Sequence, residues 1–310
     1  LYNHRPFLPE RVRSILGQTL SDIEWIIVDD CSTDGSFDEI RTLTRSDARV
    51  RLLRNSSNQG HIRTNQRGLD EASGEFVYRV DSDDSCDPTF LRKMTDVMNA
   101  HPAAGLAYCR SLRMDAKGGI WGGIPKKPGF LLIAPDGFAR LALNYDIRSP
   151  SLLFRREVLE RVGGFLCLPA GMTSEWHADW HLALRVTMVS DMVFHPEALA
   201  YHRMHHSNLS RDRVLAINNL RLIDDIFSKL PPECRQHAGL RREALRRVAA
   251  GVYRGVTEHP GAAAAELQET LGVIRSYVPD FTPPQRAGMR EFLDRLLHGG
   301  VKLATYRQLR

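Results

Sequence analysis

The stretch Phe76-Val-Tyr-Arg-Val-Asp81-Ser-Asp83-Asp84 runs an apolar strand straight into three carboxylates within four residues. Like charges packed so tightly at a strand end repel one another and are costly to desolvate, so they persist most easily where a divalent cation binds them. The same residues also suit a solvated turn, since Asp and Ser are common there. A second apolar run, Trp25-Ile-Ile-Val28, ends in the same way on Asp29-Asp30. It does not alternate polar with apolar, and an unalternating run bounded by turn residues suits a strand buried on both faces of a parallel sheet.

Around these two strands the chain alternates. Pro9 sits where a helix N1 proline would, and Leu8, Val12, Ile15 and Leu16 recur at helical spacing. Phe37, Ile40 and Leu43 mark a second helix, Val50 to Leu53 a strand, and Ile62, Leu69 and Ala72 a third helix ahead of the strand Glu75 to Val80. Such βαβαβ order predicts a doubly wound α/β sheet. In such sheets ligands bind at the carboxyl ends of the strands, where both acidic clusters lie.

Two common nucleotide-binding classes lose their main support. No GxGxxG follows a strand and no GxxxxGK[ST] occurs anywhere. A carboxylate-rich site needs a cation between protein and phosphate, and Mg²⁺ or Mn²⁺ is the usual one.

Composition and charge narrow the setting. The chain has 310 residues, 43% hydrophobic and 25% charged, enough for one large domain and a smaller one. No apolar run approaches the roughly 20 residues that span a bilayer, and no signal-peptide pattern is present. The five cysteines, Cys31, Cys86, Cys109, Cys167 and Cys234, are widely spaced without a CxxC pair. They read as free thiols in a reducing compartment, hence the cytoplasm. Residues 211–310 hold 17 Lys and Arg against 11 Asp and Glu, a net +6, whereas the rest of the chain carries −1. A basic tail fits nucleic acid, an anionic membrane, an acidic partner or simply a solvated helical face.

Together, Tyr2-Asn3, Ser14-Ile-Leu-Gly-Gln18-Thr19, Ile27-Val-Asp29-Asp30-Cys-Ser32-Thr-Asp34-Gly-Ser36, Asn58-Gln-Gly60, Ala72-Ser-Gly74-Glu75 and Asp81-Ser-Asp83-Asp84 resemble the inverting glycosyltransferase family 2, which has the GT-A fold. The resemblance covers about residues 1–210, with a nucleotide-binding half over 1–110 and an acceptor half over 111–210. It implies a Rossmann-like doubly wound mixed sheet that uses a nucleotide-sugar donor, a UDP-sugar by preference, and a glycan or lipid-linked acceptor. Such an enzyme works in cell-surface polysaccharide synthesis and has no nucleic-acid partner. The basic tail is then compatible with peripheral association at the inner face of a membrane. A GT-A sheet needs a strand before Tyr2-Asn3, and the chain as given begins at Leu1, so the first strand is expected to be missing from it.

The resemblance also assigns roles. Tyr2 and Asn3 lie near the nucleotide base, Asp30 hydrogen-bonds it, and Asp81 lies on the ribose and diphosphate. Asp83 and Asp84 are the likelier direct metal ligands, and Arg63 is a candidate for neutralising the diphosphate. Asp30 equally suits a cap on the turn that follows, beside Ser32 and Asp34.

The second half resembles the family through Ser151 to Phe165, read as strand, short helix and glycine stop, and through Asp179, which aligns with the catalytic base. Ala178 precedes it where the family usually has Glu, and Glu175 is the nearest other acid. Glu175, Trp176 and Trp180 are expected on the acceptor side, although both tryptophans suit a core as well as a sugar face. Asp179 also suits the N-cap of the Leu182 helix.

An inverting transfer is a single displacement at the anomeric carbon, and the acceptor hydroxyl must lose its proton as it attacks. The run Tyr201-His-Arg203-Met-His205-His206 reads as a histidine-rich loop, with His205 matching a family histidine that completes the metal site or touches the diphosphate. Arg110 to Pro150 is loop-rich. Beyond Asp212 helices are marked by Val214 to Phe227, Leu267 to Ile274 and Phe292 to Leu297, a helical appendage over 211–310. The alternatives to a transferase are a sugar nucleotidyltransferase, for which Pro6 to Arg13 is a poor Gly-rich loop, and a nucleotide-binding module without catalysis.

Overall fold

The computed structural model of the chain describes residues 1–123, 132–134, 137–143, 147–167, 178–205, 218–230, 238–257 and 264–281. The chain divides into two compact units. One comprises Leu1–Ala134, Ile147–Cys167 and Val189–His206, and the other Pro135–Asp146, Leu168–Met188 and Ser207–Arg310.

In the first unit, a short 3-10 turn (Arg5–Phe7) leads into α1 (Leu8–Leu16). Pro9 starts the helix without losing a needed N–H, and Leu8, Val12 and Ile15 face inward. Strand β1 (Trp25–Asp29) pairs in parallel with β2 (Val50–Arg54), with α2 (Ser36–Thr44) between them and α3 (His61–Asp70) after them. Leu8, Val12, Ile27 and Ile40 form the core of this half. Leu1 donates its N–H to Val28 O and accepts from Asp30 N, both at 2.8 Å, the bonding of one residue in a parallel ladder beside β1.

The strand expected over Glu75 to Val80 is only β3 (Phe76–Val77). Beyond Val77 the backbone leaves the ladder and turns at Asp81, where Asp84 N reaches Asp81 O at 3.3 Å. The acidic cluster therefore sits in a turn between β3 and β4 (Ser85–Cys86). After α4 (Phe90–Ala100) comes β5 (Ala104–Asp115), which extends well into the stretch expected to be loop, and then β6 (Ile120–Gly123), β7 (Leu132–Ala134), β8 (Leu152–Arg155) and α6 (Arg156–Arg161). Glycines 163 and 164, both at positive φ, follow α6 as the glycine stop predicted.

The longest strand, β9 (Asp191–Met204), takes in Tyr201 to Met204, so the run read as a histidine-rich loop is strand up to Met204. Its short apolar pairs, Met192-Val193 and Leu199-Ala200, are separated by His195, Pro196 and Glu197 and followed by His202 and Arg203, so no regular period marks it as a strand. The seven-stranded sheet has the order β3-β8-β5-β9-β4, with β6 on β5 and β7 on β9. It is mixed: β9 runs parallel to β5 and antiparallel to β4 and β7. The β5–β9 register slips where Cys109 faces His195 but Arg110 faces Ala198. Pro196 lies in that slip, where a proline costs no ladder bond. Phe90, Met94 and Met98 of α4 pack with Ala107, Leu153, Val193 and Ala200 as the core under this sheet.

In the second unit are α5 (Gly137–Leu143), most of α7 (Ala178–Val189), α8 (Asn218–Lys229), α9 (Ala238–Thr257) and α10 (Ala264–Tyr277). Helix α9 was not expected from the sequence. Its buried residues include Ala244, Ala249 and Ala250, whose small side chains leave little apolar periodicity to read. The helix expected over Phe292 to Leu297 lies outside the described residues. Together the two units are the mixed α/β sheet with C-terminal helices that the sequence predicts.

Candidate nucleotide and metal site

The turn between β3 and β4 brings its carboxylates against the start of the chain and the end of β9. Residues 203 and 205 lie two apart and so share a face of the extended chain. That face meets the turn. His205 Nε2 lies 2.8 Å from Asp83 Oδ2, and His4 Nδ1 lies 3.9 Å from Asp83 Oδ1. One ligand atom from each of His4, Asp83 and His205 falls within 4.8 Å of the others, the one such group among the described residues. His4 Nδ1 also lies 2.7 Å from Ser82 Oγ.

Burial alone would push the Asp83 carboxyl up, but the His205 bond and the nearby His4 together hold it below its ordinary range. Asp84 goes the other way: burial, and then the charge of Asp83, raise it to about 6, with His202 offsetting part of the rise. His202 Nδ1 stands 3.3 Å from Asp84 Oδ1, which also accepts the Arg203 main-chain N–H at 2.8 Å. Asp84 Oδ2 is buried with no hydrogen-bond partner. Burial lowers the His4 imidazole more than Asp83 raises it.

Asp81, the most exposed of the three, is held by both arms of Arg79 at 2.6 and 2.9 Å, and Arg79 is bonded in turn to Ser149. This fork fixes the plane of the Asp81 carboxylate.

At the end of β1, Asp30 is 3% exposed. Its Oδ1 accepts from Asn55 Nδ2 at 2.7 Å and Gln59 N at 2.8 Å, and its Oδ2 from Gly60 N at 3.0 Å. The carboxylate thereby closes the Asn58-Gln-Gly60 turn ahead of α3, where Gly60 takes φ +82°, a conformation that favours glycine. Asn55 also bonds Thr64 and Arg67, so the network reaches α3. Tyr2 is exposed beside this end of β1, and Asn3, at φ +51°, accepts from Thr33 N at 2.9 Å. Arg63 is exposed on the first turn of α3.

In the second unit, Asp179 lies in the first turn of α7, where a negative charge complements the helix dipole, and accepts the Trp180 N–H at 2.8 Å. Trp180 is 2% exposed and donates its indole N–H to Leu141 O. Glu175 and Trp176 lie outside the described residues.

Two residues at this site, His4 and Arg11, escaped the sequence reading. His4 lies between Asn3 and Arg5 with no pattern of its own and gains meaning only when the chain places it beside Ser82 and Asp83. Arg11, spaced like any solvated helix residue, is 3% exposed and donates to Asp84 O at 3.2 Å. Its apolar neighbours Val12 and Ile15 were the available clue.

Comparisons with known proteins bear on the family and the fold. The sequence model described as glycosyl transferase family 2 matches residues 1–163. The O-antigen biosynthesis protein RfbC of Myxococcus xanthus is 29% identical over 208 residues, 67% of this chain and 15% of that protein. The chain spans less than two thirds of the length of the curated relatives it matches.

Among solved structures, S. aureus TarS 1-349 in complex with UDP-GlcNAc superposes with a TM-score of 0.70 at 18% identity, covering 99% of this chain and 88% of that one. The mannosyltransferase PcManGT of Pyrobaculum calidifontis, in complex with GDP-Man and Mn2+, gives 0.54 at 20% identity over 96% and 82%. These likenesses carry the GT-A fold.

Proposed function

Because the chain belongs to glycosyl transferase family 2, we propose that it transfers a sugar from a nucleoside-diphosphate sugar to a hydroxyl of a glycan or lipid-linked acceptor. Cell-surface polysaccharide assembly is the setting, in keeping with the O-antigen relative. A UDP-sugar is the favoured donor class. The transferase domain is residues 1–210, and 211–310 is a helical region appended to it.

The observation that carries the reading is the convergence of His4, Asp83 and His205 on a point beside a buried carboxylate, Asp84, that keeps one oxygen without a protein partner. Two imidazoles and a carboxylate suit Mn²⁺ better than Mg²⁺, which prefers an all-oxygen shell. These residues would hold the ion, and Asp84 Oδ2 is the second carboxylate oxygen in reserve. A bound divalent ion offsets the charge that builds on the departing diphosphate.

Asp81, its plane fixed by Arg79, faces the ribose and diphosphate. Tyr2, Asn3 and Asp30 lie on the base side, and Arg63 on the diphosphate side. Asp179 takes the acceptor hydroxyl proton in a single displacement, which inverts the anomeric centre.

Calorimetric titration of UDP and GDP, with and without Mn²⁺, into this chain and into Asp83→Asn tests the proposal. The expected result is Mn²⁺-dependent binding of UDP that is weakened at least tenfold in the variant. Binding of neither nucleotide, or equal binding by the variant, overturns it. Asp179→Asn is expected to retain nucleotide binding while donor turnover falls by about 10²–10⁴, the range for losing a general base.

A further inference from the structure

We propose that Arg203 is the positioning residue of the His4, Asp83 and His205 group, fixing the turn that carries Asp83 so that carboxylate and imidazoles converge, without itself touching the ion. The inference rests on the metal reading above. Arg203 is 1% exposed on β9, two residues before His205, and ties together parts of the first unit that are far apart in sequence. Its Nε donates to Asp83 O at 2.6 Å and its main-chain N–H to Asp84 Oδ1 at 2.8 Å. One terminal nitrogen reaches Asp115 O, at the end of β5, at 2.9 Å, and the other reaches Glu10 Oε2, on α1, at 2.6 Å.

The same guanidinium backs an imidazole. It lies 5.0 Å from the ring of Phe7, and that ring stacks on His205 at 5.0 Å with 25° between the planes. Arg203 therefore sets the main chain of Asp83 on one side and supports the ring of His205 on the other.

Adjacent carboxylates taken out of water are unstable unless positive charge lies beneath them. Arg203 supplies it under Asp83 and Arg11 under Asp84, each through a main-chain carbonyl. The carboxylate of Asp83 meanwhile meets His4 and His205. Lysine is no substitute, because one ammonium cannot span acceptors on α1, β5 and the acidic turn as a planar fork does.

The test is Mn²⁺ affinity, measured by loss of the free-ion EPR signal and by calorimetry, for the wild-type chain, R203M, R203K and E10Q, with circular dichroism and urea unfolding to report folding. Mn²⁺ affinity is expected to fall 10–100-fold in R203M, the range for losing an outer-shell partner. R203K is expected to lose about 10-fold although the charge is kept, and E10Q, which leaves that arm an uncharged amide acceptor, about 3-fold.

A purely structural role predicts lower urea midpoints with Mn²⁺ affinity within twofold of wild type, and that result in the folded arginine variants overturns the inference. Should neither arginine variant fold, E10Q decides, and unchanged affinity there overturns it. Wild-type chain that takes up no Mn²⁺, with or without UDP, overturns the metal reading itself and this inference with it.

Discussion

Asp30 shows how much of a single residue the sequence reveals. Its place at the end of an apolar run marked it as important, and the two roles open to it were a base contact and a turn cap. The carboxylate is occupied by three donors that shape the turn before α3. In Asp30→Asn, whichever way the amide turns, an NH₂ group meets one of those donors. The variant is expected to lose about 2 kcal/mol of stability, the cost of a buried donor left unpaired, read as a lower urea midpoint at unchanged slope. The same holds for the proposed metal group. Asp83 and His205 lie in motifs that single them out as candidates, whereas His4 and Arg11 owe their places beside the acidic turn to contacts across most of the first unit that no local pattern encodes.

Among elements, the helices with large apolar residues at helical spacing were legible, as α1, α2 and α3 show. Elements built otherwise were not: α9 buries alanines, and β9 breaks its apolar pairs with His195, Pro196, Glu197, His202 and Arg203. Helix α7 adds a property that the sequence does not announce. His181, fully buried on α7, places Nε2 3.2 Å from Asp225 Oδ2 on α8, while its Nδ1 is buried without a partner. Lys229 of α8 also binds Asp225, at 2.7 Å.

Burial first, and then the charge of Arg185, lower the imidazole to about 4 against the opposing pull of Asp225. The unfolded chain's imidazole takes a proton below about 6.5 while the folded one stays neutral, so the unfolded state binds more protons in between. Stability is therefore full above about pH 6.5 and falls as the pH drops towards 4, by on the order of 2–3 kcal/mol. Comparing urea midpoints at pH 7 and pH 4.5 for the wild type and His181→Gln checks this. The variant is expected to show a shallower acid loss, and an identical loss would refute the assignment.

At the scale of the whole chain, the fold class was readable because apolar runs and helical stripes alternate, but the order of strands was not. The central pairing, β5 with β9, joins segments far apart in sequence, and nothing local in either strand names its partner. The core beneath them is where stability concentrates. Met94, fully buried against β5 and β9, is expected to cost 2–5 kcal/mol on truncation to Ala, measured by urea unfolding of the full chain.

The register slip at Pro196 bears on which changes of length the molecule tolerates. A second slip follows between Ala198 and Ala200, and from Ala200 to Met204 β9 runs as a continuous ladder. Inserting or deleting one residue there would exchange the two faces and turn Arg203 and His205 away from Asp83. That segment accepts substitution at many positions but not a change of length. The Asp115–Gly119 turn, held by its own short bonds, can lengthen past Asp115 provided that Asp115 O keeps its bond from Arg203.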